Sequence, residues 1–230
     1  MIPMRLQRCS DTHTELAFLK RQARSATLNW TNHETTAQWL HVLNNLEVVA
    51  MNSNNILDRL WLCWGHLDNW RNIQIVHKSK EWLSKANAVF VPTTLIAYEN
   101  RIPVGMIEFM PQRLLRQLGL CPCRIDVEQG EIESRYILGK EFDNYLFISC
   151  LSVAKHHQGK RIGKTLLNHF LKNQVLKESD GALAYARERD QNWEKFIHWP
   201  AGPEEFYFKA GFSTAKTLEK PAGRILLYKK

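Results

Sequence analysis

Residues 145–167 read YLFISCLSVAKHHQGKRIGKTLL, and this stretch decides the fold. Its first nine residues are mostly apolar or β-branched on both faces of an extended chain, which predicts a strand at the centre of a sheet. A loop with two glycines and several basic side chains follows. From residue 161 to 177, apolar side chains recur at helical spacing. A strand, a glycine loop and a helix in this order present backbone N–H groups to an anion at the helix start.

The sequence on either side of this stretch predicts a layered α/β arrangement. Apolar runs predict further strands over 93–99, 104–110, 181–187 and 223–230. The first two form a hairpin. Apolar periodicity predicts helices over 12–24, 34–50, 55–71, 79–87, 111–119 and 203–212. The segment 55–71 also fits a part-strand. We expect a helical N-terminal extension, residues 1–55, and one domain, residues 56–230.

Composition favours a soluble, cytoplasmic protein that binds no membrane. The chain has 230 residues and 44% hydrophobic residues, which suits one domain with a core. No run approaches the roughly 18 apolar residues of a membrane helix, and the first residues lack the apolar core of a secretory signal. Five scattered cysteines argue against a disulfide framework. Cys121-Pro-Cys123 is too short a unit for a zinc site, so we expect no metal.

Positive charge is concentrated in the last third of the chain. The net charge is +8, and residues 155–230 contain 15 Lys and Arg against 8 Asp and Glu, which accounts for +7 of it. Such a local positive field favours a polyanionic ligand. No RNA- or DNA-binding motif accompanies the charge, so a nucleic acid is not the expected partner.

Two common phosphate-binding motifs do not fit the loop. A P-loop has four residues between its glycines, whereas only three residues separate Gly159 from Gly163. A dinucleotide-binding loop needs three glycines at a fixed spacing and a long βαβ series, and both are missing from this sequence.

The segment Gln158-Gly159-Lys160-Arg161-Ile162-Gly163 resembles the acetyl-CoA signature of the GCN5-related N-acetyltransferase (GNAT) family, Gln/Arg-x-x-Gly-x-Gly/Ala. A second segment, FYFKAGF at 206–212, resembles the family's Phe-Tyr-x-Lys-x-Gly-Phe near the C-terminus. The order of the two segments also matches the family. The resemblance covers roughly residues 90–230.

This resemblance implies an α/β fold with a GNAT-like mixed central sheet flanked by helices. It further implies an N-acetyltransferase that moves the acetyl group of acetyl-CoA to a primary amine by direct attack in a ternary complex. The strand ending at Val153 would meet the pantetheine arm, and the loop would hold the pyrophosphate. The implied CoA-binding residues are Leu151, Val153, Gln158, Gly159, Lys160, Arg161, Ile162, Gly163 and Lys164.

One position departs from the family pattern. The family has glycine where this chain has Arg161. A glycine there tolerates positive φ and lets the backbone approach a phosphate closely. The arginine leads us to expect a backbone conformation allowed for ordinary residues, with a guanidinium that adds a charge-assisted contact instead.

The catalytic groups are less sharply indicated than the CoA site. Tyr207 matches a family tyrosine that protonates the leaving thiolate. The strand 145–153 holds no carboxylate, so Glu108 on the preceding strand is the candidate base. Asp143 and the pair His156 and His157 are alternatives, as is deprotonation relayed by water with no single base.

The acceptor stays open at this level: a small-molecule amine, or the N-terminus or a lysine of a protein. A homodimer is an option. The competing function is a non-catalytic module with the same fold that binds an acyl-CoA for regulation or interaction. Arg161 and the missing strand carboxylate are the reasons for keeping it.

Overall fold

A seven-stranded sheet organises the residues that the structure, a computed structural model, describes: 46–64, 73–119, 121–122, 137–188, 202–218 and 223–229. In chain order its strands are β1 (Leu46–Ala50), β2 (Thr94–Glu99), β3 (Ile102–Pro111), β4 (Tyr145–Val153), β5 (Gly181–Ala186), β6 (Ser213–Leu218) and β7 (Gly223–Lys229). The described helices are α1 (Ile56–Trp64), α2 (Ile73–Val89), α3 (Gln112–Leu118), α4 (Ile162–Leu171), α5 (Gln174–Lys177) and α6 (Glu204–Phe208). Short 3₁₀ turns lie at Lys140–Phe142 and Lys155–His157.

The order of strands across the sheet is β1-β2-β3-β4-β5-β7-β6. Neighbouring strands are antiparallel except for β4 and β5, which are parallel. A parallel pair needs a crossover connection, and α4 and α5 supply it. The predicted mixed sheet flanked by helices is therefore confirmed, with β4 at its centre.

The two faces of the sheet are covered by different helices, because side chains of a strand alternate between faces. On one face, Met106 and Met110 of β3 belong to a cluster with Leu60 of α1 and Leu83 of α2. On the other face, Ile107 and Phe109 of β3 belong to a cluster with residues of α4. We call these the α1 face and the α4 face.

Most predicted elements are confirmed within the described residues. The β2–β3 hairpin, β4, β5, β7 and α3 lie within one or two residues of their expected ranges. The helix expected over 79–87 is part of the longer α2. The segment 55–71 begins as the helix α1, and its remainder after Trp64 lies outside the described residues.

Three predictions are wrong in detail. The end of the helix expected over 34–50 is strand β1, which pairs with β2, so this part of the expected N-terminal extension belongs to the sheet. The helix over 161–177 is two helices, because Asn173 is extended and its side chain caps α5 by accepting from Val175 N–H at 3.0 Å. The helix over 203–212 is only five residues long. Residues 1–45 lie outside the described residues, so a domain boundary at 55 stays a prediction.

Strand β6 has no counterpart among the predicted strands. Residues 213–217 are exposed, and the sequence STAKTL carries no apolar alternation. The strand forms because its backbone pairs with β7 at the edge of the sheet, which needs no apolar pattern. None of the helices in the described ranges is long and apolar enough to cross a membrane.

Candidate active site

The candidate site lies where β4 and β5 part. The last residue pair between these parallel strands is Ile148 opposite Ala184. Beyond it, β4 continues along β3 as far as Val153, while β5 continues along β7. Within the described residues, the sheet therefore opens along the last five residues of β4, and we call this stretch, residues 149–153, the open end of β4. Backbone groups at such an edge must find other partners, and a ligand with amide groups can supply them.

The chain turns from β4 into α4 through two residues with positive φ. Gly159 has φ +79° and Arg161 has φ +65° and ψ +8°, which is the left-handed region. Arg161 is the residue before the helix, and its carbonyl accepts from Thr165 N–H at 3.0 Å. Among the described residues, no side chain caps this helix start. Its first N–H groups therefore face the loop, where the positive end of the helix dipole favours an anion.

The conformation of Arg161 corrects the sequence prediction. We expected an ordinary backbone conformation there, and the structure has the left-handed one that glycine adopts without steric cost. The reason is that the turn into α4 is set by packing, since Ile162 is buried on the sheet directly after it. Arg161 therefore adopts the left-handed backbone conformation at this turn, and its side chain is exposed.

The two segments that carry the family resemblance meet in space. A Cβ atom built on Gly163 would lie 3.7 Å from the ring of Phe206 and 3.7 Å from Cγ2 of Val153. The first turn of α4, the open end of β4 and helix α6 therefore converge at one place. Leu151 and Val153 pack against the cluster of the α4 face, together with Phe206.

A glycine outside the predicted site lets α4 approach the sheet. A Cβ on Gly105 of β3 would lie 3.0 Å from Cγ2 of Ile162, 3.1 Å from the carbonyl oxygen of Ser152 and 3.2 Å from Cδ1 of Leu166. Contacts this short require the neighbours to shift. The lack of a side chain at Gly105 therefore allows the start of α4 to lie close to β3 and β4.

The loop between β4 and α4 is closed by polar contacts. Gln158 donates through Nε2 to the carbonyl of Val153 at 3.1 Å. His157 Nδ1 lies 3.0 Å from Oε2 of Glu99 at the end of β2, and Nζ of Lys160 lies 3.9 Å from the same oxygen. The predicted loop residues therefore lie close together, and the Gln158 side chain bonds a backbone carbonyl at the end of β4.

Exposed cations surround the helix start. The exposed basic residues of this segment are Lys155, Lys160, Arg161 and Lys164. All four lie between residues 155 and 164, in the turn before α4 and in its first turn. Their arrangement suits a ligand with more than one phosphate.

Tyr207 is held at the end of α6 by a Schellman motif. Gly211 has φ +93°, its N–H donates to the carbonyl of Phe208 at 3.0 Å, and Phe212 N–H donates to the carbonyl of Tyr207 at 3.1 Å. This return brings the ring of Phe212 to 5.2 Å from that of Tyr207, with Phe206 at 5.4 Å on another side. Tyr207 is fully buried in the cluster of the α4 face, which also contains Ile148.

Glu108 is buried on the α1 face and is fully engaged by hydrogen bonds. Arg59 of α1 donates through Nε to Oε2 of Glu108 at 2.9 Å, and Nη2 contacts the same oxygen. Ser149 of β4 donates its hydroxyl to Oε1 at 2.6 Å. Arg59, Glu108 and Ser149 are each at most 1% exposed. Sequence reasoning missed Arg59 and Ser149, because a buried ion pair between distant elements leaves no local pattern.

The predicted acid and base therefore lie on opposite faces of the sheet. Tyr207 is on the α4 face with the predicted CoA loop, and Glu108 is on the α1 face. Between the two faces lies the opening between β4 and β5. A ligand group held in this opening would be accessible from both faces of the sheet.

The alternative bases are not at the opening. Asp143 precedes β4 and pairs with Arg116 of α3. Since β4 rises about 3.3 Å per residue, the start of the strand lies roughly 10 Å from its last pair with β5. His156 is exposed in the turn after β4, and its neighbour His157 faces Glu99. No group of three or more His, Cys, Asp or Glu in the described ranges could hold a metal ion.

Comparison with known proteins gives a family. A family model described as acetyltransferase (GNAT) family matches residues 53–194, which is more than half of the chain. The match includes the strand, the loop and helix α4 of the site. No curated protein sequence matches the chain.

Solved structures of acetyltransferases are similar to the chain at low sequence identity. The crystal structure of an acetyltransferase is 12% identical, with a TM-score of 0.50, and the match covers 80% of this chain and 98% of the other. An N-acetyltransferase from Staphylococcus aureus Mu50 is 14% identical, with a TM-score of 0.49 and coverages of 79% and 100%. Arabidopsis thaliana Naa50, solved with the bisubstrate analogue CoA-Ac-MVNAL, is 18% identical, with a TM-score of 0.46 and coverages of 80% and 98%.

Proposed function

Since the chain belongs to the GNAT acetyltransferase family, we propose that it transfers the acetyl group of acetyl-CoA to a primary amine by direct attack in a ternary complex. The single observation that carries this proposal is the meeting of the open end of β4, the start of α4 and helix α6, which carries Tyr207, on the α4 face of the sheet. A thioester, an anion and a leaving thiolate need those three features together.

The helix start fits the pyrophosphate of CoA. The left-handed residues Gly159 and Arg161 turn the chain so that the first N–H groups of α4 point into the loop. The side chains of Lys160, Arg161 and Lys164 add positive charge at the rim. Residues Leu151 and Val153 offer backbone groups to the amides of the pantetheine arm. An N–H at this edge also polarises a thioester oxygen, as an oxyanion hole does.

Tyr207 is the proposed acid for the departing thiolate. Its ring is clamped by Phe206 and Phe212, so its hydroxyl has a defined position on the face where CoA would enter. A protonated phenol that donates to a thiolate lowers the cost of the charge that develops on sulfur.

The amine must arrive without its proton, since an alkylammonium with a pKa near 10.4 has no lone pair for attack. Glu108 is the carboxylate on the face opposite Tyr207, from which the amine would approach. Its two oxygens already accept hydrogen bonds from Arg59 and Ser149, so neither is placed to take the amine proton directly. Deprotonation relayed by water is the route that these contacts favour.

The acceptor is proposed as a primary amine of a small molecule, or an N-terminus or lysine of a protein, and the place of action as the cytoplasm. A homodimer is compatible with the proposal. The second candidate is a module that binds an acyl-CoA without turnover. Arg161 at a glycine position and the engagement of both Glu108 oxygens are the observations that favour it.

The test has two parts. Calorimetric titration with acetyl-CoA and with desulfo-CoA measures binding at the helix start. Release of free thiol from acetyl-CoA is then followed across a panel of polyamines, amino acids and short peptides with varied N-termini. Binding with amine-dependent thiol release supports the transferase, and binding without release for any amine supports the module. Absence of binding to both compounds would contradict the site.

A further inference from the structure

Three buried polar side chains connect α1 to the point where the sheet opens. Arg59 and Ser149 hold the two carboxylate oxygens of Glu108 from different elements, one from α1 and one from β4. The separation along the chain is 49 residues for Arg59 and 41 for Ser149. A carboxylate bound in this way has a fixed position, because each oxygen is restrained by a separate element.

Ser149 is the extra residue of a β-bulge in β4. Phe109 of β3 lies opposite Ile148 and Glu108 lies opposite Cys150, so the register steps over Ser149. Ile148 is also the β4 residue that makes the last pair with β5. A bulge bends its strand and changes the direction of the residues beyond it. The hydroxyl bond to Glu108 therefore restrains β4 at the position where its open end begins.

Helix α1 is held over neighbouring strands by two further polar contacts. Tyr98 of β2 donates its hydroxyl to Oδ2 of Asp58 at 2.6 Å, and Ser152 of β4 donates to the carbonyl of Leu62 at 3.2 Å. Burial, followed by the bond to Asp58, raises the pKa of Tyr98 above its ordinary value, so the hydroxyl stays a donor. Together with Arg59, these contacts bind α1 to β2, β3 and β4.

We infer that Arg59, Glu108 and Ser149 are positioning residues that hold the open end of β4 in the shape that binds acetyl-CoA, and that Glu108 is not the general base. The ligand named in this inference rests on the proposed function. A general base needs an oxygen that the amine or a water can reach. Both oxygens of Glu108 already accept bonds from fixed donors, one from Arg59 and one from Ser149. Its contacts instead suit the restraint of a strand.

The experiment compares variants that break the network with one that removes its charges. Glu108→Gln leaves the charge of Arg59 buried beside a neutral amide. The double variant Arg59→Met with Glu108→Gln removes both charges, keeps the approximate volumes and keeps an amide for Ser149. Ser149→Ala removes only the hydroxyl. Ser179→Ala is the matched control, because Ser179 is also buried but bonds the backbone near α5.

Hydrogen exchange on the ligand-free protein is the first readout, since it needs no substrate. We expect amides of 149–153 to exchange about tenfold faster in Ser149→Ala and in Glu108→Gln, with wild-type rates in Ser179→Ala. The double variant should return close to wild type. Unchanged exchange in Ser149→Ala would overturn the inference, even if Glu108→Gln fails to fold.

Binding of acetyl-CoA is the second readout. We expect the dissociation constant to rise about tenfold in Ser149→Ala and Glu108→Gln and to recover within about threefold in the double variant. A general base would behave differently: the dissociation constant would stay constant, and turnover would stay at least about 100-fold low in the double variant although its folding is restored. That outcome overturns the inference. If the wild type binds no acetyl-CoA, the proposed function fails, and hydrogen exchange still decides whether the network holds the strand.

Discussion

Arg59 of α1 and Glu108 of β3 form an ion pair in which neither residue is more than 1% exposed. Removal of charges from water is costly, and their attraction offsets this cost only when the geometry is good and the remaining hydrogen-bonding groups are satisfied. Here the second oxygen of Glu108 is satisfied by Ser149. Loss of one partner from such a pair lowers the free energy of unfolding by about 3–5 kcal/mol. The ion pair therefore couples the folding of α1 to that of the sheet.

Replacement of Arg161 by glycine should separate two effects of this residue: the energetic cost of its backbone conformation and the contribution of its charge to ligand affinity. An ordinary residue in the left-handed region costs about 1 kcal/mol relative to glycine, so Arg161→Gly should raise the free energy of unfolding by about 0.5–1 kcal/mol. Affinity for acetyl-CoA should fall several-fold at low salt because one cation is lost. Urea unfolding and calorimetry measure the two effects.

Arg161→Asn is the control for this change, since asparagine tolerates positive φ but carries no charge. It should show the affinity loss of Arg161→Gly with a smaller gain in stability. A glycine variant less stable than wild type would contradict the interpretation that the turn itself requires the left-handed conformation.

Introduction of an acid at Gly163 should leave the fold intact and abolish binding. A Cβ there makes only ordinary contacts with Phe206 and Val153, and an acid in the first turn of α4 is favourable to the helix dipole. Next to a phosphate, the same charge is repulsive by several kcal/mol. Gly163→Glu should therefore melt at or above the wild-type temperature and bind acetyl-CoA at least about 100-fold more weakly. Gly163→Gln, of equal size, should retain much more affinity; equal affinities of the two variants would refute an anion site here.

A methyl group at Gly105 should raise the start of α4. The new atom would lie 3.0 Å from Ile162 and 3.1 Å from the carbonyl of Ser152, and such overpacking costs about 1–3 kcal/mol. We expect Gly105→Ala to lower both the free energy of unfolding and the affinity for acetyl-CoA. Gly163→Ala, whose Cβ has ordinary contacts, is the control for stability. A Gly105→Ala protein as stable as wild type would show that the close approach is not tight.

Removal of the Tyr207 hydroxyl should affect turnover and spare binding. The ring contacts with Phe206 and Phe212 are kept in Tyr207→Phe, so the variant should fold as the wild type does. Its dissociation constant for acetyl-CoA should stay within about threefold of the wild-type value. Turnover with an accepted amine should fall about 100-fold, because the proposed acid is lost. Tyr228→Phe is the matched control, since Tyr228 packs against Phe212 in the same cluster. Wild-type turnover in Tyr207→Phe would remove the acid role.

The strongly patterned parts of this protein could be predicted from the sequence. Strand β4 is apolar on both faces, and α4 repeats its apolar residues every three to four positions, so both were recognised from local order. The glycine loop between them and the segment FYFKAGF sufficed for the family. Strand β6 was missed because backbone pairing with β7, and no apolar pattern, makes it a strand.

The sequence by itself determined the mixed α/β sheet, the glycine loop between β4 and α4, and the family. Each of these depends on residues that are close together in the chain, so their spacing can be read from the amino-acid sequence. Only the tertiary structure decided the left-handed turn at Arg161, the meeting of Gly163 with Phe206, the placement of Tyr207 and Glu108 on opposite faces, and the bonds of Glu108 to Arg59 and Ser149. These depend on contacts between residues far apart in the chain, which packing of the helices on the sheet creates and local patterns do not record.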